Sequence, residues 1–195
     1  MVSETYTSRG RPRNPAIDAA VLAAVREQLR DHGVSGISVR AAAAAAGTTR
    51  AAVYRRWPTI GALLVAAVSE LADRGGAPVG DDPLADLEAE LRDFRDAIRA
   101  AGSVGLVGVM LQGDVDPAVR AEYRRRVVAP RRSRLRACLE RGVAAGRLDA
   151  DADLDGAVAM ATGAWYAAVL AGPAPAREWP ERTARLVWGA CGGRA

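Results

Sequence analysis

The chain has 195 residues, of which 50% are apolar and 26% charged, a composition typical of a globular protein long enough to bury a core. A single histidine, His32, and two distant cysteines exclude most hydrolase and metal-site chemistry. No apolar run approaches the roughly 20 residues that span a bilayer, and residues 1–15 lack the apolar core of a secretory signal. We therefore expect a cytoplasmic protein with no membrane partner.

Positive charge is concentrated near the N-terminus, and all of it comes from arginine. Residues 1–60 hold nine arginines and four acidic residues, whereas residues 61–195 hold eighteen arginines and nineteen acidic residues. The net charge is therefore +5 in the first segment and −1 in the second. This asymmetry is typical of a protein whose N-terminal end meets a polyanion.

The first predicted helix begins at Asn14, a capping residue followed by a proline that fits the first turn. Apolar residues recur every four positions as far as Leu29, and the pattern ends at Gly33. Ser38 can cap a second helix that continues through the alanines at 41–46.

A break at Gly47 separates the second helix from a third, very short helix over residues 50–56. The Trp-Pro pair at 57–58 ends this helix because proline disfavours helix in the residue before it. Thr59 can cap a fourth, amphipathic helix. Two short helices joined by a tight turn need longer helices to cover their apolar faces, so the sequence predicts a helix-turn-helix over residues 38–57.

Only helices are expected after a Gly/Pro-rich linker over residues 75–82. Apolar spacing and capping residues place five further helices in this part of the chain. Pro130 interrupts the longest of them, so a kink is expected there. The five helices are predicted to begin at Pro83, Val104, Pro117, Leu154 and Pro180.

Three motifs carry a family resemblance: Gly33-Val34-Ser35-Gly36-Ile37-Ser38-Val39-Arg40 before the turn, Ala46-Gly47-Thr48-Thr49-Arg50 within it, and Val53-Tyr54-Arg55-Arg56-Trp57-Pro58 after it. The Arg-rich arm at 9–13 and Ala62-Leu63-Leu64 extend the match. Over residues 9–72 the chain resembles the TetR family of bacterial regulators. The resemblance implies a homodimer that binds a palindromic operator in double-stranded DNA and senses a small-molecule effector.

The predicted fold class is all-α, with about nine helices. An N-terminal three-helix helix-turn-helix DNA-binding domain precedes a six-helix ligand-binding and dimerisation domain. The predicted divisions are a flexible Arg-containing arm at 1–14, the DNA-binding domain at 15–74, the linker at 75–82 and the C-terminal domain at 83–195.

The third helix is expected in the major groove, with its N-terminal residues nearest the base edges. Arg50 can reach guanine O6 and N7 or a phosphate, and the Tyr54 hydroxyl can donate to a phosphate. Either Arg55 or Arg56 is expected to be solvated or paired within the protein. The predicted DNA-binding residues are Arg9, Arg11, Arg13, Ser38, Arg40, Thr48, Thr49, Arg50, Tyr54, Arg55 and Arg56.

Two departures from the family pattern limit the groups that can read bases. Ile60-Gly61 occupies the place where family members often carry a phosphate-binding lysine. Ala51 and Ala52 stand where longer polar residues are common. Specificity is therefore expected from Arg50, from alanine contacts with thymine methyl groups, and from DNA shape.

Apolar and aromatic walls with a few polar tips suit a small, largely hydrophobic ligand, although the same residues also build ordinary cores. The pocket candidates are Phe94, Ile98, Leu106, Met110, Leu111, Tyr123, Val127, Trp165 and Tyr166. Three of the four tryptophans fall in the last 31 residues, and large aromatic residues are enriched both at interfaces and in monomer cores. The resemblance places the dimer interface on the last two long helices, where the candidates are Trp165, Val169, Leu186, Val187 and Trp188.

Nine arginines fall between Arg120 and Arg141. They can form a solvated face with salt bridges to Asp86, Glu88, Glu90, Asp93 and Asp96 on a neighbouring helix, or they can recognise an anionic ligand.

We predict a DNA-binding regulator that acts as a repressor released by a ligand, without cofactor, metal or catalytic residues. A regulator with no small-molecule ligand is the alternative, and would have a filled C-terminal core. A helical enzyme would need a deep pocket with convergent carboxylates, and an interaction module would show no salt-dependent DNA binding.

Overall fold

A computed structural model of the protein describes residues 14–72, 76, 79–101, 104–111, 115–172 and 175–194. Within these ranges the chain forms helices and no strand, which confirms the predicted all-α class. A 3-10 turn at Val34–Gly36 follows the first helix, and a π-helical segment at Arg124–Val128 joins α7 to α8. The helices are α1 (Pro15–His32), α2 (Val39–Ala45), α3 (Arg50–Arg56), α4 (Ile60–Ala72), α5 (Pro83–Ala101), α6 (Val104–Leu111), α7 (Pro117–Tyr123), α8 (Ala129–Ala144), α9 (Leu154–Ala171) and α10 (Trp179–Ala190).

Side-chain caps fix where the first four helices begin. An oxygen on each capping residue accepts a hydrogen bond from a backbone N–H in the first turn, which otherwise has no partner in the helix. Each such cap stabilises a helix by about 1 kcal/mol. The capping residues and their N–H···O distances are Asn14 (3.0 Å), Ser38 (3.2 Å), Thr49 (3.2 Å) and Thr59 (3.1 Å).

The turn between α2 and α3 is closed by Gly47, whose φ is 61°. The Thr48 N–H donates to the Ala43 carbonyl at 2.9 Å, and the Gly47 N–H donates to the Ala44 carbonyl at 3.1 Å. This pair of bonds is a Schellman motif, which needs a left-handed residue that glycine adopts without strain. The turn therefore sets the direction in which α3 leaves α2.

The first hydrophobic core joins α1 to α4 and continues into the C-terminal half. Its buried side chains on α1–α4 are alanine, valine and leucine. Leu106 and Met110 of α6, Val119 of α7 and Val127 of the π-helical segment are buried in the same core. The core therefore extends past the linker predicted at 75–82.

The second core lies among α5, α8, α9 and α10 and is rich in aromatic rings. Trp165 packs edge-on against Trp179, with 5.0 Å between ring centroids, and against Phe94 at 6.4 Å. Trp188 is completely buried. The Trp188 ring packs directly on the α8 backbone at Gly142, where a Cβ would lie 2.6 Å from the ring.

The long helix from α7 to α8 changes its hydrogen-bond register just before Pro130. The Ala129 N–H donates to the Arg124 carbonyl, an i to i−5 bond that defines the π-helical segment. A proline inside a regular α-helix lacks a donor and its ring clashes with the carbonyl four residues earlier. The predicted irregularity therefore takes the form of a π-helical turn at 124–128.

Helix α9 has an unusual distribution of apolar side chains. By its length and apolar composition this helix could cross a membrane, yet only 22% of its residues are buried within the subunit. One such helix is weak evidence for a membrane protein. Its exposed apolar residues, Met160 and Leu170, instead point to an unpartnered face.

Candidate functional site

One side of α3 and the turn before it is open to solvent. Thr49, Arg50, Ala51 and Arg55 are exposed, whereas Val53 on the opposite side is buried. The first core holds Val53 and the two flanking helices in place, so α3 presents a fixed surface. This surface carries two arginines within six residues.

Arg50 and Tyr54 form one unit on this surface. The Arg50 guanidinium lies over the Tyr54 ring, 5.3 Å from its centroid. The cation–π contact orients a long side chain that would otherwise lose conformational freedom on binding. Tyr54 in turn packs against the first core.

Arg56 belongs to the interior rather than to this surface. Its guanidinium forms an ion pair with Asp18 of α1, and its Nη1 donates to the Ala52 carbonyl at 3.0 Å. Its side chain is 18% exposed. This corrects its assignment as a DNA-binding residue, because the guanidinium already ties α3 to α1. Arg55 is the exposed member of the pair.

The remaining predicted contact residues fall into three groups. Arg40 on α2 is exposed, and Thr48 in the turn is partly buried. The Ser38 and Thr49 hydroxyls are acceptors in the caps of α2 and α3, so their first role is structural. The predicted arm residues Arg9, Arg11 and Arg13 lie outside the described residues.

A cavity of about 290 Å³ lies between α5, α6, α9 and the long helix from α7 to α8. Its volume is close to the lower end of the roughly 300–1,000 Å³ range of small-molecule sites. Most of the wall is apolar or aromatic. The lining residues are Phe94, Val107, Met110, Leu111, Arg120, Tyr123, Arg124, Val127, Val128, Arg131, Arg132, Thr162 and Tyr166.

Three of the predicted pocket residues do not line this cavity. Ile98 and Trp165 are buried in the second core, and Leu106 is buried in the first. These three side chains pack against neighbouring helices inside the cores, so they do not form part of the cavity wall. The structure brings the other six together at the cavity: Phe94, Met110, Leu111, Tyr123, Val127 and Tyr166.

The polar groups of the cavity are phenols and guanidiniums. Burial raises the pKa of Tyr123 and of Tyr166, so both phenols are protonated donors at neutral pH. Burial lowers the pKa of Arg131, whose guanidinium lies 5.0 Å from the centroid of the Phe94 ring. These groups can bind a ligand, and no acidic residue stands among the described lining residues.

The sequence pattern missed Arg131 as a cavity residue. It follows Tyr123 and Val127 in steps of four, so all three lie on one side of the long helix. Extending that stripe by one step past Pro130 would have identified it.

The predicted interface residues are divided between the subunit interior and its surface. Trp165, Val187 and Trp188 are between 0% and 4% exposed. They pack inside the second core and offer no surface to a partner, which corrects their assignment. Val169 is partly buried, and Leu186 is 65% exposed.

Four exposed residues that were not among the predicted interface candidates share a helical pattern on α9. Met160, Gly163, Ala167 and Leu170 are all exposed. Their spacing of three, four and three residues places them on one face, distinct from the stripe that contains Trp165. This second stripe is the signal that would have identified them.

Two family models match the chain. The model of bacterial regulatory proteins of the tetR family matches residues 21–67, and the tetracyclin repressor-like C-terminal domain model matches residues 77–187. The second match alone covers more than half of the 195 residues.

Similar proteins agree with both matches. The uncharacterized HTH-type transcriptional regulator YdeS of Bacillus subtilis is 25% identical over 150 residues, 76% of each chain. An uncharacterized HTH-type regulator of Mycobacterium tuberculosis strain H37Rv is 26% identical over 161 residues, which cover 80% of this chain and 79% of that one.

Solved structures share the fold. The TetR family transcription regulator SCO0332 has a TM-score of 0.67 and 26% identity, with 89% of this chain and 97% of that chain covered. A TetR regulator from Agrobacterium tumefaciens has a TM-score of 0.67 and 21% identity, with 91% and 92% covered. The chain therefore belongs to the TetR family and is a helix-turn-helix, DNA-binding transcriptional regulator.

Proposed function

We propose that this regulator is a homodimeric repressor that leaves its operator when a small, largely hydrophobic ligand binds. The observation that supports this proposal is the cavity of about 290 Å³, whose wall includes Met110 and Val127 of the first core and Phe94 of the second. Family members typically bind operators as dimers and respond to small molecules. We expect the protein to act in the cytoplasm, where operator DNA is found.

DNA binding is assigned to the exposed side of α3. Arg50 would contact a guanine or a phosphate, and Arg55 and Arg40 would contact the phosphate backbone on either side. The exposed Ala51 is small enough for a thymine methyl group to approach. With so few base-reading groups, DNA shape would supply part of the specificity.

Dimerisation is assigned to the exposed apolar face of α9 and α10. Met160 and Leu170 are 52% and 86% exposed, and Leu186 on α10 is 65% exposed. The small residues Gly163 and Ala167 between them would let a second copy of α9 approach closely. A two-fold dimer would present two α3 helices to half-sites about one DNA turn apart, roughly 34–36 Å.

The coupling between ligand and DNA would run through α4, which packs on both α7 and the π-helical segment. A Cβ on Gly61 would lie 3.1 Å from Val119, so the start of α4 fits tightly against α7. Val127 both lines the cavity and belongs to the core that supports α3. A ligand that displaces this region would change the spacing of the two α3 helices, and a coupling of about 1–3 kcal/mol would release the DNA.

The test of DNA binding is a fluorescence anisotropy titration of the full chain with duplex DNA from upstream of its own gene, at several salt concentrations. Arg50→Ala should weaken binding by roughly 5- to 150-fold, because a good base contact is worth about 1–3 kcal/mol. Arg177→Ala is the matched control, since it removes an exposed arginine from the loop before α10. We expect the control to bind as the parent does.

Equal binding by Arg50→Ala and Arg177→Ala at every salt concentration would refute the assignment of α3. Parent protein that binds this DNA without any dependence on salt would refute the phosphate contacts as well.

A further inference from the structure

The arginines of α8 differ in their partners. Facing α5, Arg141 pairs with Asp86, and the Arg134 Nε donates to Glu90 at 2.9 Å. These pairs form the ladder of salt bridges expected between the two helices. At Arg131 the ladder stops, because its neighbour on α5 is the ring of Phe94.

The surroundings of Arg131 are unfavourable for its charged guanidinium. Its Nε is shielded from solvent and has no hydrogen-bond partner among the described residues. Asp93 exerts an electrostatic attraction on Arg131. The Asp93 carboxylate, however, lies 3.8 Å from the guanidinium of Arg134, and Arg134 also pairs with Glu90. A desolvated charge without a bonded counter-ion destabilises a fold, and an apolar side chain of similar size often serves stability better.

The surroundings of Arg131 fit a molecule with one charged end. Three further arginines, Arg120, Arg124 and Arg132, border the same cavity. Phe94, Met110 and Tyr166 provide an apolar and aromatic wall beside them. A guanidinium binds a carboxylate or sulfonate through two parallel N–H···O bonds, which are strongest where water is excluded.

We propose that the effector is an amphipathic organic anion whose acidic group pairs with Arg131 and whose apolar body lies against Phe94, Met110 and Tyr166. This inference rests on the proposed function, in which the cavity is the effector site. The anion would supply the missing partner of Arg131. A neutral molecule of the same shape would leave the guanidinium desolvated and unpaired, so it would bind more weakly.

The test compares two fluorescent probes with the same aromatic body, the anion 8-anilinonaphthalene-1-sulfonate and neutral N-phenyl-1-naphthylamine. Titration of the DNA-free parent protein should give at least tenfold tighter binding of the anion. Arg131→Met should weaken binding of the anion by about 10- to 100-fold, since a hydrogen-bonded charge is worth about 1.5–3 kcal/mol. It should leave binding of the neutral probe unchanged or improve it.

The matched control is Arg125→Met, which removes an exposed arginine from the same long helix outside the cavity. It changes the net charge equally and should leave binding of both probes unchanged. A second measurement separates a ligand role from a structural one. Without ligand, Arg131→Met should raise the melting temperature, because it removes a desolvated charge.

Equal affinity of the parent for the two probes, or anion binding that survives Arg131→Met, would overturn the proposal. A fall in the melting temperature of Arg131→Met would also count against it.

Repeating the DNA titration with each probe separates this proposal from the proposed function. Arg131-dependent anion binding without DNA release would uphold the anion site and contradict ligand-driven release. DNA release by the neutral probe alone would uphold release and contradict the anion site.

Discussion

The two cores of the subunit are built from different side chains. The buried members of the first core are alanine, valine, leucine and one methionine, which let short helices pack closely around α3. The second core uses Phe94, Trp165, Trp179 and Trp188. Trp165 makes edge-on contacts with Phe94 and Trp179, and salt bridges join α8 to α5.

The cavity lies where these two kinds of packing meet. Met110 and Val127 of the first core and Phe94 of the second line it, beside Arg131. A ligand in that space would act on the relative placement of the two cores. The comparison shows that α3 rests on a core of small side chains, whereas the cavity opens at the border with the aromatic core.

The largest expected effect tests the dependence of the second core on its rings. Trp188→Ala should lower the free energy of unfolding by about 3–5 kcal/mol, because the ring is completely buried. Trp57→Ala is the comparison in the first core, where the ring is only partly buried and packs at the edge. Trp57→Ala should therefore lower the free energy of unfolding by less than Trp188→Ala does. Equal losses in urea unfolding would break the comparison between the cores.

Gly142→Ala should lower the free energy of unfolding by about 1–3 kcal/mol. The new Cβ would lie 2.6 Å from the Trp188 ring and 2.8 Å from Leu148, and a buried indole cannot move aside easily. Gly108→Ala makes the same change in α6, where the Cβ would meet no atom of the described part of the chain within 4 Å. That variant should be stabilised by about 0.4–1 kcal/mol. A stabilised Gly142→Ala in thermal unfolding would show that the second core is loosely packed.

Thr49→Ala should cost about 1 kcal/mol of stability by removing the cap of α3. It should also weaken operator binding, because α3 would lose its fixed start. Thr49→Ser keeps a hydroxyl acceptor and should retain most of both properties. If urea unfolding and anisotropy titrations gave the same results for the two variants, the cap would have no part in presenting α3.

The smallest effect concerns the junction of α4 and α7. Gly61→Ala should change operator affinity by less than about tenfold, because its Cβ would press on Val119 at 3.1 Å. The double variant with Val119→Ala should return toward parent affinity, since the smaller side chain relieves the contact. Anisotropy titrations of the parent, both single variants and the double variant measure this coupling. Additive effects would show that this junction does not transmit the displacement.

Local chemistry made the DNA-binding region predictable. Asn14, Ser38 and Thr49 begin helices through hydrogen bonds to residues two or three positions away, and Gly47 closes a turn through bonds that span five residues. Interactions this short are visible in the order of the residues. The pairing of Arg56 with Asp18 was not predictable in the same way, because it joins positions 38 residues apart.

The sequence alone determined the helices, the turn before α3 and the N-terminal excess of positive charge, since caps, glycines and apolar spacing act within a few residues. Only the tertiary structure decided which stripe of α9 is buried, with Trp165 inside and Met160 and Leu170 outside. It also decided that Arg134 meets a carboxylate while Arg131 meets an aromatic ring. The physical reason is that a helical repeat defines faces, whereas the packing of distant helices decides what each face meets.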